Sequence, residues 1–143
     1  MTINKKEAFA KFGIKQKNEV WSWSGINRDA PIPISQNLEA PICVLTIWND
    51  QYDYKAGIWS IFNCNNELWK DSNGNKARIE DIKYCLSKLN GEFKAIFIEP
   101  LNRGVYDETR KIKKISLNNR LWFKIIRFDE ETGECEAKMF TKE

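Results

Sequence analysis

The 143-residue sequence predicts an α+β fold, with a curved, mostly antiparallel sheet of about six strands, one main helix and a short N-terminal helix. Three observations carry this prediction. Residues 42–48 form a continuous apolar, β-branched run. Residues 76–90 place apolar side chains three and four positions apart. Two alternating segments flank the turn at 129–133. Partial closure of the sheet into a barrel is left open.

The N-terminal half is predicted to contain a short helix and two strands. Asn4 is placed to cap a helix that runs to Phe12 and stops at Gly13. Residues 19–25 alternate large aromatic with small polar side chains, which is typical of a strand with two different faces. The apolar run 42–48 is predicted to be a central strand covered on both sides.

The rest of the chain is predicted to contain the main helix and further strands. The helix spans about residues 76–90, with Asn75 as its cap and Gly91 as its stop. The remaining predicted strands span residues 58–62, 92–99, 110–116, 121–128 and 134–140. The last two form a hairpin in which Gly133 supplies a positive φ.

Length and composition restrict both organisation and chemistry. The length suits a single domain over residues 1–143, with a proline-bearing surface insertion at 27–41. Histidine is absent, which excludes Ser-His and Cys-His catalysis. The four cysteines include no C-x-x-C pair, so no zinc, other metal or cofactor is expected.

Neither a signal peptide nor a membrane span is recognisable, so the chain is expected to be cytoplasmic with reduced thiols. The only enzyme-like set is Asp81, Glu92 and Lys94, which distantly suggests the magnesium site of a nuclease. Asp81 falls on the polar side of the predicted helix, whereas that chemistry places its first acid at a strand end. The expectation is therefore a protein without catalytic activity.

Positive charge is concentrated in one region of an otherwise balanced chain. The net charge is +3, yet residues 101–128 carry 8 basic and 2 acidic side chains. The density peaks between Arg110 and Lys114. Two interpretations stand: a solvated strand surface, or a surface that faces phosphates.

Four motifs in a fixed order carry a resemblance that covers about residues 8–140. They read Trp21-Ser-Trp-Ser-Gly25, Val44-Leu-Thr-Ile-Trp-Asn-Asp50, Trp69-x-Asp-x-x-Gly-Asn-x-x-Arg78 and Asp129-Glu-Glu-Thr-Gly-Glu134. In these motifs the chain resembles a family of small uncharacterised bacterial and phage proteins, which supports a real domain without implying a role. It departs from that family at the segment 27–41 and at the lysines near 112–114. In strand order and aromatic content alone it is similar to PUA-like modules such as the EVE domain. That similarity implies binding of nucleic acid or of a flipped, modified base.

Five tryptophans within 50 residues, together with the basic region, predict a nucleic-acid-binding module that reads a modified or unpaired base. Tryptophans would stack on bases, polar neighbours would read base edges, and cations would meet phosphates. The residues predicted to make these contacts are Trp23, Ser24, Trp48, Asn49, Asp50, Trp69, Asn75, Arg78, Arg110 and Lys111. The competing interpretation places the tryptophans in the core and Asn75 and Arg78 in an ordinary helix cap.

A second hypothesis belongs to another class of function. A phage or mobile-element protein without catalytic residues can act by docking on a host protein, such as a defence nuclease, through aromatic anchors. The insertion at 27–41 and the acidic tail at 129–143 suit that role. A small-molecule binder that uses the tryptophans as a cage is a third possibility.

Overall fold

The computed structural model describes residues 3–15, 23–32, 38–61, 73–101, 111–118 and 120–142. These residues contain two helices and eight strands. The helices are α1 (Lys5–Ala10) and α2 (Asn73–Lys88). The strands are β1 (Ser24–Asn27), β2 (Ile42–Trp48), β3 (Tyr52–Asp53), β4 (Ile58–Ser60), β5 (Glu92–Pro100), β6 (Ile112–Leu117), β7 (Leu121–Phe128) and β8 (Cys135–Thr141).

The strands form one open sheet in the order β1-β2-β5-β7-β8-β4-β3, with β6 paired to β5. The β2–β5 pair is parallel and every other pair in the described ranges is antiparallel. The α+β class is therefore confirmed. The described residues contain eight strands rather than about six, in part because the two-residue strand β3 is too short to leave an alternating pattern. These described strands do not close into a barrel.

Strand β5 joins two parts of this sheet. One of its edges pairs with β2 between residues 94 and 98. The other edge is shared, because residues 92–93 pair with β7 and residues 96–100 pair with β6. Strands β6 and β7 therefore pair with adjoining parts of the same edge of β5.

The sheet is covered on both faces by apolar clusters that follow the alternation along β2 and β5. On one face Phe93 and Ala95 of β5 belong to a cluster with Ile82 and Cys85 of α2. On the other face Ile96 and Ile98 belong to a cluster with the apolar side of α1. All seven residues of β2 are buried, which confirms the prediction of a strand covered on both sides.

Local signals explain most element ends. Asn4 caps α1 as predicted, in a reciprocal capping box with Glu7. Gly133 takes a positive φ of 85°, as predicted for the hairpin turn. Gly91, the predicted stop of the main helix, has a φ of 71° and lies three residues after the end of α2 at Lys88. The prediction that Asn75 caps the main helix is wrong, because α2 begins at Asn73 and Asn75 is a fully buried residue inside it.

Candidate functional site

The first two predicted stacking residues lie together but are covered. The ring centroids of Trp23 and Trp48 are 6.0 Å apart, and the Nζ atom of Lys5 lies 3.8 Å from the centroid of Trp23. Trp48 is only 2% exposed and belongs to the cluster with α1, whereas Trp23 is half-buried at its border. The ring of Trp48 therefore fills the core and presents no open face to a base.

The three polar residues predicted to contact base edges lie in different surroundings. The hydroxyl of Ser24 donates a buried hydrogen bond of 2.6 Å to the carboxylate of Asp81. Asn49 and Asp50 are half-buried just after β2, and the backbone N–H of Asn49 donates to the carbonyl of Ile98 at 2.8 Å. Ser24 is thus engaged inside the protein, while Asn49 and Asp50 lie at the end of a strand.

Arg78 is a buried structural group. Its guanidinium is 2% exposed and donates to the carbonyls of Ile61 and Gly133 and, at 3.3 Å, to Oδ1 of Asn75. The Nδ2 group of Asn75 donates in turn to the carbonyl of Thr132 at 2.8 Å. Burial lowers the pKa of Arg78 to about 10. Arg78 and Asn75 together connect α2 to the β7–β8 turn, and their burial keeps them from contacting a phosphate in solvent.

Of the other predicted contacts, Lys111 is exposed just before β6, whereas Trp69 and Arg110 lie outside the described residues. The weak nuclease set is not assembled. The carboxylate of Asp81 faces Ser24 on the α2 side of the sheet, whereas Lys94, by alternation along β5, points to the side of α1. Within the described ranges, no three Cys, Asp or Glu side chains are grouped as metal ligands.

Lys94 is instead held by the backbone and by a neighbouring ring. Its Nζ atom donates to the carbonyl of Leu121 at 2.8 Å and lies 4.9 Å from the ring centroid of Trp122. Burial and the charge of Lys142 lower the pKa of Lys94 to about 8. Its surroundings are those of a structural lysine.

The structure places an open pocket of about 490 Å³ on the α2 side of the sheet, beyond the end of β2. Its lining comes from β4, β5, β6 and β7 and from the residues that follow β2, β3 and β6. The lining residues are Asn49, Tyr54, Trp59, Phe97, Ser116, Leu117, Asn118 and Leu121. Among the predicted site residues that the structure describes, Asn49 is the one found there.

Aromatic rings form one side of the pocket. Trp59 of β4 meets Phe97 of β5 at a centroid distance of 5.8 Å in an edge-to-face arrangement. Behind it, Tyr52 lies 4.7 Å from Trp59, and Tyr54 packs edge-on against Tyr52 at 4.8 Å. Trp59 is 8% exposed, whereas Tyr54 is 86% exposed. The aromatic rings thus extend from the buried Trp59 to the exposed Tyr54 at the mouth of the pocket.

Polar groups complete the pocket without adding charge. The lining residues include Asn49, Asn118 and Ser116, but no lysine, arginine, aspartate or glutamate. Asn118 also shapes the turn after β6, where its Oδ1 accepts the backbone N–H of Arg120 at 3.0 Å. The indole Nε1 of Trp59 is buried and has no acceptor within the described ranges. The arrangement suits a flat, neutral ligand that carries hydrogen-bonding groups.

The sequence does carry a partial signal for this site. Trp59 alternates with polar Ser60 in a short predicted strand, and it is one of the five clustered tryptophans. Phe97, Ser116 and Asn118 carry no comparable signal, because only the pairing of β5 with β6 brings them beside Trp59.

The comparisons with known proteins supply no relative for this arrangement: no protein-family model, curated protein or solved structure matches the chain. Neither described helix has the length and apolarity that a membrane-spanning helix requires.

Proposed function

We propose that the protein is a non-enzymatic nucleic-acid-binding module that takes an unpaired base into the pocket beside Trp59 and Phe97. The observation that carries the proposal is the combination of edge-packed aromatic rings with uncharged amides in one open cavity. This keeps the function predicted from the sequence and moves the base from Trp23 and Trp48 to the pocket, whose accessible rings are those of Phe97 and Tyr54.

The size and walls of the pocket support a base as ligand. Its volume of about 490 Å³ falls within the range of small-ligand sites, which is roughly 300–1,000 Å³. Stacking of a base on an aromatic side chain contributes about 1–3 kcal/mol. Trp59 is fixed by Phe97 and Tyr52, so little side-chain entropy is lost when a second ring packs against this group.

The polar groups support recognition of a base edge. The amides of Asn49 and Asn118 each offer donors and an acceptor, and this combination matches the mixed edges of nucleobases. The uncharged lining leaves the phosphates of the same strand outside the pocket. A base within a duplex is stacked and paired, so an unpaired or extruded base is the form that fits. The resemblance to PUA-like modules in predicted strand order and aromatic content is in line with this proposal.

Binding of a labelled single-stranded oligonucleotide, measured by fluorescence anisotropy at low salt, tests the proposal. Asn49→Asp keeps the shape of the side chain but replaces an amide donor with a negative charge in the pocket wall. We expect this variant to weaken binding at least about tenfold, which corresponds to 1.4 kcal/mol.

Asn4→Asp is the matched control, because it adds the same charge at the exposed cap of α1 and an aspartate caps a helix as well as asparagine does. Its affinity should stay within about twofold of the unmodified protein. The proposal is refuted if the unmodified protein shows no binding below about 100 μM, the weak end of non-specific affinity. Equal losses in both variants would refute the pocket as the binding site.

A further inference from the structure

The pocket opens against β6, which is an edge strand in the described part of the sheet. Its single described partner is β5, and five of the eight residues in 111–118 are lysine, serine or asparagine. Ser116 is paired with Phe97, and paired residues in an antiparallel ladder project to the same face. This pairing explains why the exposed Ser116 lines the pocket that Phe97 walls.

The next residues on this face are basic. Lys114 is paired with Glu99, two positions from Ser116, so its side chain projects to the same face as Ser116 and lies about 6.8 Å away along the strand. Lys114 is exposed to solvent, whereas Glu99 is half-buried. The cation therefore stands beside the pocket mouth with its charge toward water.

A β-bulge brings a second lysine to the same face. The register between β5 and β6 shifts by one residue after Glu99, so that Pro100 pairs with Ile112 rather than with Lys113. The ladder then continues with a hydrogen bond of 2.9 Å from the N–H of Leu101 to the carbonyl of Lys111. Without the extra residue, Lys111 would alternate to the opposite face; with it, Lys111 follows Lys114 on the pocket side.

We propose that the phosphodiester backbone of a single strand runs along β6 from the pocket mouth, with its phosphates held by Lys114 and Lys111. This inference rests on the proposed function and names the part of the ligand that stays outside the pocket. The occupant is a polyanion because the surface that continues from an uncharged pocket is basic and exposed. Glu99 is the opposing charge on this face, and it is directly paired with Lys114.

The salt dependence of oligonucleotide binding tests the inference. Each lysine that neutralises a phosphate of a single strand contributes about 0.7 to the slope of log K against log salt. We expect Lys114→Gln and Lys111→Gln each to reduce the slope by about this amount, and the double variant by about 1.4. Glu99→Gln removes the opposing carboxylate and should tighten binding at low salt.

Lys138→Gln is the control for these variants. Lys138 is an exposed strand residue next to Ala137, which is paired with Trp59. Side chains alternate along β8, so Lys138 projects to the face opposite to Trp59 and the pocket. The control removes one positive charge from a strand without touching the proposed path, and its slope should equal that of the unmodified protein.

The two proposals fail in different ways. In one outcome the unmodified protein binds the oligonucleotide and Asn49→Asp weakens binding, but Lys114→Gln and Lys111→Gln show the same slope of log K against log salt as Lys138→Gln. This outcome overturns the path along β6 and leaves the base pocket supported. If the unmodified protein does not bind the oligonucleotide, both proposals are overturned. A tightening by Glu99→Gln together with reduced slopes for both lysine variants supports the path.

Discussion

Arg78 gives the sharpest test of the difference between a phosphate ligand and a structural cation. Its position near the start of the main helix predicted a contact with phosphate, but its guanidinium is buried and donates to two backbone carbonyls and to Asn75. The perturbation is Arg78→Met, which keeps an unbranched side chain of related length and removes every donor.

The magnitude follows from two opposing contributions. Hydrogen bonds from a charged donor contribute about 1.5–3 kcal/mol each, and the carbonyls of Ile61 and Gly133 would be left buried without this donor. Burying the guanidinium, however, costs several kcal/mol, which the variant avoids. The balance is a loss of about 3 kcal/mol in the free energy of unfolding, or about 10 °C in Tm for a chain of this size.

Urea unfolding followed by circular dichroism measures this loss, and oligonucleotide anisotropy below the transition measures binding by the folded variant. Lys83→Met is the control, because Lys83 is an exposed residue of α2 whose ion pair with Glu80 spans 3.7 Å. It should change stability by less than about 0.5 kcal/mol. If Arg78→Met keeps full stability but loses oligonucleotide binding, the reasoning is refuted and Arg78 is a phosphate ligand.

Two further predictions concern stability. Gly133→Ala should cost about 2–3 kcal/mol in urea unfolding, because φ is 85° and the added Cβ meets the amide of Asn75; an unchanged midpoint would contradict this. Burial lowers the pKa of Lys94 and Lys5 to about 8 from an ordinary 10.5, so the folded protein releases protons that the unfolded chain retains and stability should rise with pH above 8. Burial raises the pKa of Cys135 from 9.0 to about 12, so this thiol opposes the rise above pH 9. The free energy of unfolding, measured with urea from pH 7 to pH 10, should rise and then level off, and it should rise less in Lys94→Met. A steady fall in the free energy of unfolding above pH 7 would contradict these pKa assignments.

Elements that depend on local pattern were predictable from the sequence. Strand β2 has the predicted bounds because a continuous apolar run that is buried on both faces has few alternatives. The β7–β8 hairpin follows equally from alternation around Gly133. The main helix was predicted at 76–90 and spans Asn73–Lys88, because Asn75 is a poor interior residue in an isolated helix but here bonds to Thr132.

The site was not predictable in the same way. Trp48 and Trp59 belong to the same group of closely spaced tryptophans in the sequence. In the structure, however, Trp48 is buried in the cluster with α1, whereas Trp59 lines the pocket. No local feature of the sequence distinguishes the two tryptophans, because their surroundings depend on which face of the sheet each side chain occupies and on what packs against that face. Arg78 likewise has the charge of a phosphate ligand, and only the tertiary contact with the β7–β8 turn makes it an interior group.

The pocket lies where the helix α2 no longer covers the face of β5. On the α2 side, Phe93 and Ala95 belong to the cluster that includes Ile82 of the helix, and both residues are at least nine-tenths buried. Two residues further along the same face, Phe97 remains only half-buried, and the β4 residue Trp59 packs on its edge. An apolar row that continues past its covering helix leaves aromatic surface for another partner. Because β6 pairs with this same part of β5, the half-buried ring of Phe97 and the basic edge strand necessarily adjoin. The ligand that we propose, with one flat apolar part and one anionic part, would contact both surfaces at once.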